Sequence, residues 1–211
     1  MSETKNISAY RQSLRDRILE VAMQAFREKG IKAVKMDDIA ASLTISKRTL
    51  YEVYENKECL LLECLKKYKH LHEKGVEEML RTKPNVMEYI LASYRDKLND
   101  FRHTNPTFYS DMVKYPKVVE VLQQDQDVSR QRFLEFMERG INEGYFRADV
   151  NFDLVARIYE VILRFIMDEE VYRTYDIEEI FRSVIFVSLR GYCTKKGVDV
   201  LDSFLNESNT R

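Results

Sequence analysis

The stretch Met36-Asp37-Asp38-Ile39-Ala40-Ala41-Ser42-Leu43-Thr44-Ile45-Ser46-Lys47-Arg48-Thr49-Leu50-Tyr51-Glu52-Val53-Tyr54 decides the fold. Met36, Ile39, Ala40 and Leu43 recur at three- and four-residue spacing, the period of one face of an α-helix. Asp37 and Asp38 fall in the first turn of that helix, where its dipole favours negative charge. Thr44 and Ile45 leave room only for a tight turn. Ser46 is a good N-cap for a second short helix, Lys47 to Tyr54, in which Leu50 and Tyr54, four residues apart, point inward while Lys47, Arg48 and Tyr51 point outward.

Upstream, Leu14, Ile18, Val21, Ala22, Ala25 and Phe26 form one helical stripe within Arg11 to Lys29, and Gly30 follows as a C′ stop. Downstream, Asn56 can cap a fourth helix from Lys57 towards Arg81. Asn85 with Glu88 and Asp176 with Glu179 have capping-box spacing. Pro106 and Pro116 suit first-turn positions and bound a helix of about ten residues. The next helices run from Pro116 to about Glu143, from Phe152 to about Arg173 and from Ile177 to about Lys196, with a frayed tail after Asp202. With only 6 Gly and 3 Pro in 211 residues, the expected fold is all-α with about nine helices. It divides into an N-terminal three-helix helix-turn-helix domain, residues 1–58, and a helical bundle for regulation and dimerisation, residues 59–211.

Composition narrows the function classes. The chain opens without a signal-peptide pattern and holds no apolar run long enough to span a bilayer, so a cytoplasmic protein with no membrane partner is expected. Cys59, Cys64 and Cys193 are an odd number without metal-type spacing, which argues against a disulfide framework or a zinc site. None of His70, His72 and His103 has Glu three residues before it, as a di-metal carboxylate bundle requires. There is no nucleophile elbow, phosphate-cradling glycine loop or convincing triad, so no catalytic residue, metal ligand or cofactor is assigned. The net charge of −1 hides a mild asymmetry: up to Glu58 there are 11 Lys/Arg against 9 Asp/Glu.

Three short helices with a tight turn before the third suffice to lay a helix in the DNA major groove if its outer face supplies donors. Lys47, Arg48 and Thr49 occupy the first turn of the third helix, and the Arg48 guanidinium fork matches guanine O6 and N7. Tyr51 and Lys57 would hold flanking phosphates. On helix pattern alone, a basic solvated face is an equal reading. The run Ile18-Leu19-Glu20-Val21-Ala22, Phe26-Arg27-Glu28-Lys29-Gly30, Met36-Asp37-Asp38-Ile39-Ala40, Ile45-Ser46-Lys47-Arg48-Thr49-Leu50-Tyr51 and Tyr54-Glu55-Asn56-Lys57-Glu58-Cys59-Leu60 closely resembles the DNA-binding domain of the tetracycline-repressor (TetR) family.

That resemblance implies that Lys47 to Tyr54 is a recognition helix, that Thr49, Tyr51 and Lys57 touch double-stranded DNA, and that the protein is a homodimer on a near-palindromic operator. It implies a ligand-responsive repressor. Ser46 and Lys35 complete the expected DNA-facing set. This sequence departs from the family at Thr44, where Gly is usual, at Lys35, where Ser or Thr is common and a cap would be lost while a phosphate contact could be gained, and at Val53, where His or Tyr often reaches the backbone.

In the C-terminal half, resemblance is architectural, and family members place a ligand pocket and the dimer interface there. From Leu154 to Met167, apolar residues wrap more than one face of their helix, and the helix holding Ile180 to Leu189 has the same excess. A four-helix bundle across a two-fold axis would use both, with Val161, Phe165, Ile180, Val184 and Val187 at the contact. Phe108, Tyr109, Met112, Phe133, Phe136, Met137, Tyr159 and Phe165, with His103 as a polar contact, are the candidate lining of a pocket for a small lipophilic or aromatic effector. The rival readings are a helical interaction module without DNA binding and, further off, a helical-bundle metalloenzyme.

Overall fold

The computed structural model describes residues 2–123 and 126–208, and among them every regular element is helical. The helices are α1 (Ser2–Lys29), α2 (Met36–Ser42), α3 (Lys47–Val53), α4 (Lys57–Thr82), α5 (Val86–Arg102), α6 (Pro106–Met112), α7 (Pro116–Gln123), α8 (Gln126–Asn142) and α9 (Phe152–Asp168). They continue with α10 (Ile177–Ile180), a π-helical stretch Phe181–Phe186, α11 (Val187–Tyr192) and α12 (Lys195–Ser208). No described helix is long and apolar enough to cross a membrane. The chain forms two compact units: residues up to Lys74 with His103–Gln123, and Gly75–Arg102 with the remainder.

The first unit is built on the stripe read from α1. Leu14, Ile18, Ala22 and Phe26 are buried together with Met36, Ile39, Ala40 and Leu43 of α2, Leu50 of α3, Tyr54, and Leu60, Leu61 and Cys64 of α4. A cut at residue 58 therefore runs through α4 one residue past its start, because the α4 side chains that fill the core lie beyond it. The helix-turn-helix also carries α6 as a buttress: Asn105 N donates to Arg27 O at 2.7 Å, and the Asp111 carboxylate, itself buried, accepts from Lys32 N at 2.7 Å. Burial alone would raise the Asp111 pKa, but the Lys32 amide and the Lys114 ammonium hold it below the ordinary carboxylate value. Gly30 is required where α1 ends, since its φ is +84° and a Cβ there would stand 2.2 Å from Thr107 Oγ1.

The second unit closes around Tyr94, whose ring meets Phe181, Phe186 and Phe204 edge-on at 5.1, 4.8 and 5.7 Å between centroids. Expectations about helix ends differ from the structure at several places. The helix expected to reach about Arg173 ends at Asp168, and Glu170 takes φ +49° before a short 3-10 turn. Three consecutive acids, Asp168, Glu169 and Glu170, crowd a helix C-terminus whose dipole disfavours them. The helix expected to run to Lys196 stops at Tyr192, because Cys193 turns extended and bridges to Phe146. Beyond it, the tail expected to fray after Asp202 is α12, helical to Ser208, with Leu201 and Phe204 buried in the second core. At the N-terminus, α1 starts at Ser2 rather than Arg11. The single helix expected from Pro116 to about Glu143 is described as α7 and α8, and residues 124–125 between them lie outside the described ones.

Candidate nucleic-acid interface

The turn between α2 and α3 sets the aim of α3. Ile45 N donates to Ala40 O at 3.0 Å and Thr44 N to Ala41 O at 3.0 Å, the paired bonds of a Schellman motif. The residue at its left-handed position is Thr44, at φ +56°. A β-branched side chain is strained there, so the turn keeps the usual shape at an energetic cost instead of adopting another. The next residue but one, Ser46, caps α3 as the sequence suggested: its Oγ accepts from Thr49 N at 3.0 Å and lies 2.8 Å from Thr49 Oγ1. Leu50 is fully buried beneath α3, which orients the opposite face outward.

That outward face carries Lys47, Arg48 and Tyr51, all exposed. Lys47 pairs with Asp37 of α2 and Arg48 with Glu52 one turn on, at 2.8 Å. Donating a hydrogen bond to those carboxylates raises both basic pKa values, keeping the two side chains cationic. With the Arg48 side chain 88% exposed, its pairing is a weak surface contact that a phosphate or guanine can displace. Lys35 is exposed at the start of α2, and its missing side-chain cap is partly replaced: the Asp38 carboxylate accepts from Lys35 N at 3.0 Å. Val53 is half-buried against the first core, turned away from the face bearing Arg48.

Lys57 departs from its expected role. Its Nζ donates to Ile31 O at 2.8 Å, Val34 O at 2.9 Å and Lys32 O at 3.4 Å. All three ammonium protons are thus directed at the carbonyls of the α1–α2 loop, and burial lowers its pKa. In the DNA-free chain the residue ties the start of α4 to the loop between α1 and α2. The cue in the sequence was present but not decisive: Lys57 opens α4 next to a loop that ends α1 and starts α2, where unsatisfied carbonyls gather.

The residues expected to line a pocket divide between the two units. Phe108 is buried in the first core, with Tyr109 and Met112 packed against it. Met137 is buried in the second core, with Phe133 and Phe136 packed against that one. Tyr159 donates its hydroxyl to Ile185 O at 3.2 Å, and burial pushes its pKa well up. Phe165 is exposed. Of the nine, His103 lines a cavity of about 380 Å³ in the first unit, beside Leu19, Met23, Arg27 and Tyr68. Large apolar side chains in an all-α chain are claimed first by packing, which sequence spacing does not separate from a lining role.

The expected dimer residues divide. Ile180 is corrected: it is buried in its own unit, on the inner side of α10. Val184 is half-buried, while Val161, Phe165 and Val187 are exposed at 61%, 59% and 63%. Leu154 and Ile158, part of the apolar excess read along this helix, join Val161 and Phe165 at spacings of four, three and four, one exposed stripe along α9. Burial pushes the Cys64 thiol up to about 12 and the Cys193 thiol up to about 11, so both keep their protons at neutral pH.

Comparison with known proteins places this geometry. Residues 18–64 match the family described as bacterial regulatory proteins, tetR family. The HTH-type transcriptional repressor KstR2 of Mycolicibacterium smegmatis is 28% identical over 153 residues, 69% of this chain and 73% of that protein. Among solved structures, the ketosteroid transcriptional regulator KstR2 of Mycobacterium tuberculosis superposes with a TM-score of 0.55 at 22% identity, over 86% of this chain and 95% of the other. A TetR-family regulator from Agrobacterium tumefaciens gives 0.68 at 17% identity, over 87% and 100%. At those identities the two structures establish the shared fold.

Proposed function

We propose that this chain, a TetR-family DNA-binding transcriptional regulator, acts in the cytoplasm as a homodimeric repressor on a near-palindromic operator and is released by a small lipophilic or aromatic effector. The observation that carries the reading is the outward face of α3. A Ser46-capped helix presents Lys47, Arg48 and Tyr51 to solvent while Leu50 anchors its back, the arrangement needed to fill a major groove. Arg48 reads a guanine, Lys47, Thr49 and the Ser46 cap meet the backbone around it, and Tyr51 and Lys35 hold flanking phosphates. The functional division keeps DNA contact within residues 1–58 and assigns dimerisation and effector response to residues 59–211. The α9 stripe supports the dimer, since a row of four exposed large apolar residues is stable in water when a second copy covers it.

The effector is proposed by class alone. Aromatic and methionine side chains around the second core, Phe133, Phe136 and Met137 among them, suit a flat or lipophilic molecule. Similarity to the ketosteroid transcriptional regulator KstR2 supports that class. Capture of genomic DNA fragments by the purified protein tests the whole reading. A recurring inverted repeat whose affinity falls steeply with salt is the expected outcome. Absence of any duplex binding would favour an interaction module instead.

A further inference from the structure

The α1 face that buries Leu14, Ile18, Ala22 and Phe26 does not end with the core. Arg11 stands three residues before Leu14 and seven before Ile18, and Arg15 stands in the same relation to Ile18 and Ala22. Both arginines therefore lie on the side of α1 that meets the helix-turn-helix, and both are exposed. Arg15 has its guanidinium 5.6 Å from the ring centroid of Tyr54, the cap residue that follows α3. The carboxylates of the same turns point elsewhere: Asp16 and Glu20 each accept from Lys67 of α4 at 3.2 Å. Glu52, the acidic residue near the end of α3, is tied to Arg48. Arg11 forms no ion pair among the described residues.

We propose that Arg11 and Arg15 form a phosphate-binding strip that extends the DNA footprint past the groove filled by α3, along the backbone beside its C-terminal end. The proposal rests on the DNA-binding reading given above. Its physical basis is charge complementarity at a fixed place. Two arginines four residues apart on one side of α1, the second with its guanidinium over the Tyr54 ring just past α3, suit successive phosphates, while α3 is the helix assigned to the groove.

The test is a salt titration with a duplex of about 40 base pairs carrying a fragment captured by the wild-type protein, read by fluorescence anisotropy. Each of Arg11→Ala and Arg15→Ala should lower the slope of log K against log salt by about one unit, and the double variant by about two. Preferences among single-base variants of the duplex should stay as they are, and Arg11→Lys with Arg15→Lys should keep the slope. Arg11 is exposed and forms no ion pair among the described residues, so its variant decides the matter should Arg15→Ala lower the melting temperature through the lost Tyr54 contact. A steep wild-type slope that both alanine variants share would overturn the proposal and leave the DNA-binding reading standing. A changed base preference would overturn it too, making the arginines base readers. A wild-type protein with no duplex binding would remove both.

Discussion

The outer face of α3 and the outer face of α9 are both exposed, and they are exposed in opposite ways. On α3 the outward residues are cationic or phenolic and already paired to carboxylates on their own unit, as Lys47 is to Asp37 and Arg48 to Glu52. On α9 the outward stripe of Leu154, Ile158, Val161 and Phe165 is apolar and more than half exposed. The first face tolerates solvent and exchanges one set of charge partners for another when it binds. The second gains chiefly by leaving water, at roughly 25 cal/mol per Å² of apolar surface covered. On the proposed reading, the α9 face makes the lasting contact with a second copy and the α3 face the reversible, salt-sensitive one with DNA.

The largest effect should come from breaking the α9 side. Val161→Glu or Phe165→Glu would place an unpaired charge in the covered stripe and cost on the order of several kcal/mol of dimer stability. Sedimentation should then report monomer with unchanged helicity, since both positions are exposed in the single chain. An intact dimer in either variant would move the interface to another face.

Lys57→Ala comes next and tests the support beneath α3. Leaving the carbonyls of Ile31, Val34 and Lys32 without their shared donor should cost about 3 kcal/mol of stability, seen as a lower melting temperature. If stability held and only the salt slope fell by about one unit, Lys57 would be a phosphate ligand after all. Arg48→Ala should reduce operator affinity about ten- to a hundredfold and flatten base preference at one position, with no change in melting temperature. Unchanged preference would make Arg48 a backbone clamp. The smallest effect belongs to Thr44→Gly, which relieves the left-handed strain in the turn and should raise stability by about 1 kcal/mol, measured by denaturant midpoint.

Legibility followed the range of the interactions. The Ser46 cap, the Gly30 stop and the inward Leu50 were readable because each depends on neighbours within four residues. The departure at Thr44 was readable as Thr in the place of a usual Gly, and the structure gives that residue φ +56°. Phe108 and Phe133 carried no such local mark, and each has the composition of a pocket wall and the position of a core residue. Lys57 looked like a surface cation until the loop 23 to 26 residues earlier was folded against it.

By itself, then, the sequence determined the all-α class, the helix-turn-helix with its capped third helix, and the apolar excess along α9, since periodicity and capping act within one or two turns. Tertiary structure alone decided which of the excess residues stay outside, so that Ile180 is buried while Val187 is bare. It also decided that the chain beyond Asp202 is helix, because Leu201 and Phe204 have a core to enter, and that Lys57 serves the fold. These are outcomes of long-range contact, where a side chain's role is set by what distant segments bring to it, and helical spacing places a residue on a face without saying what that face will meet.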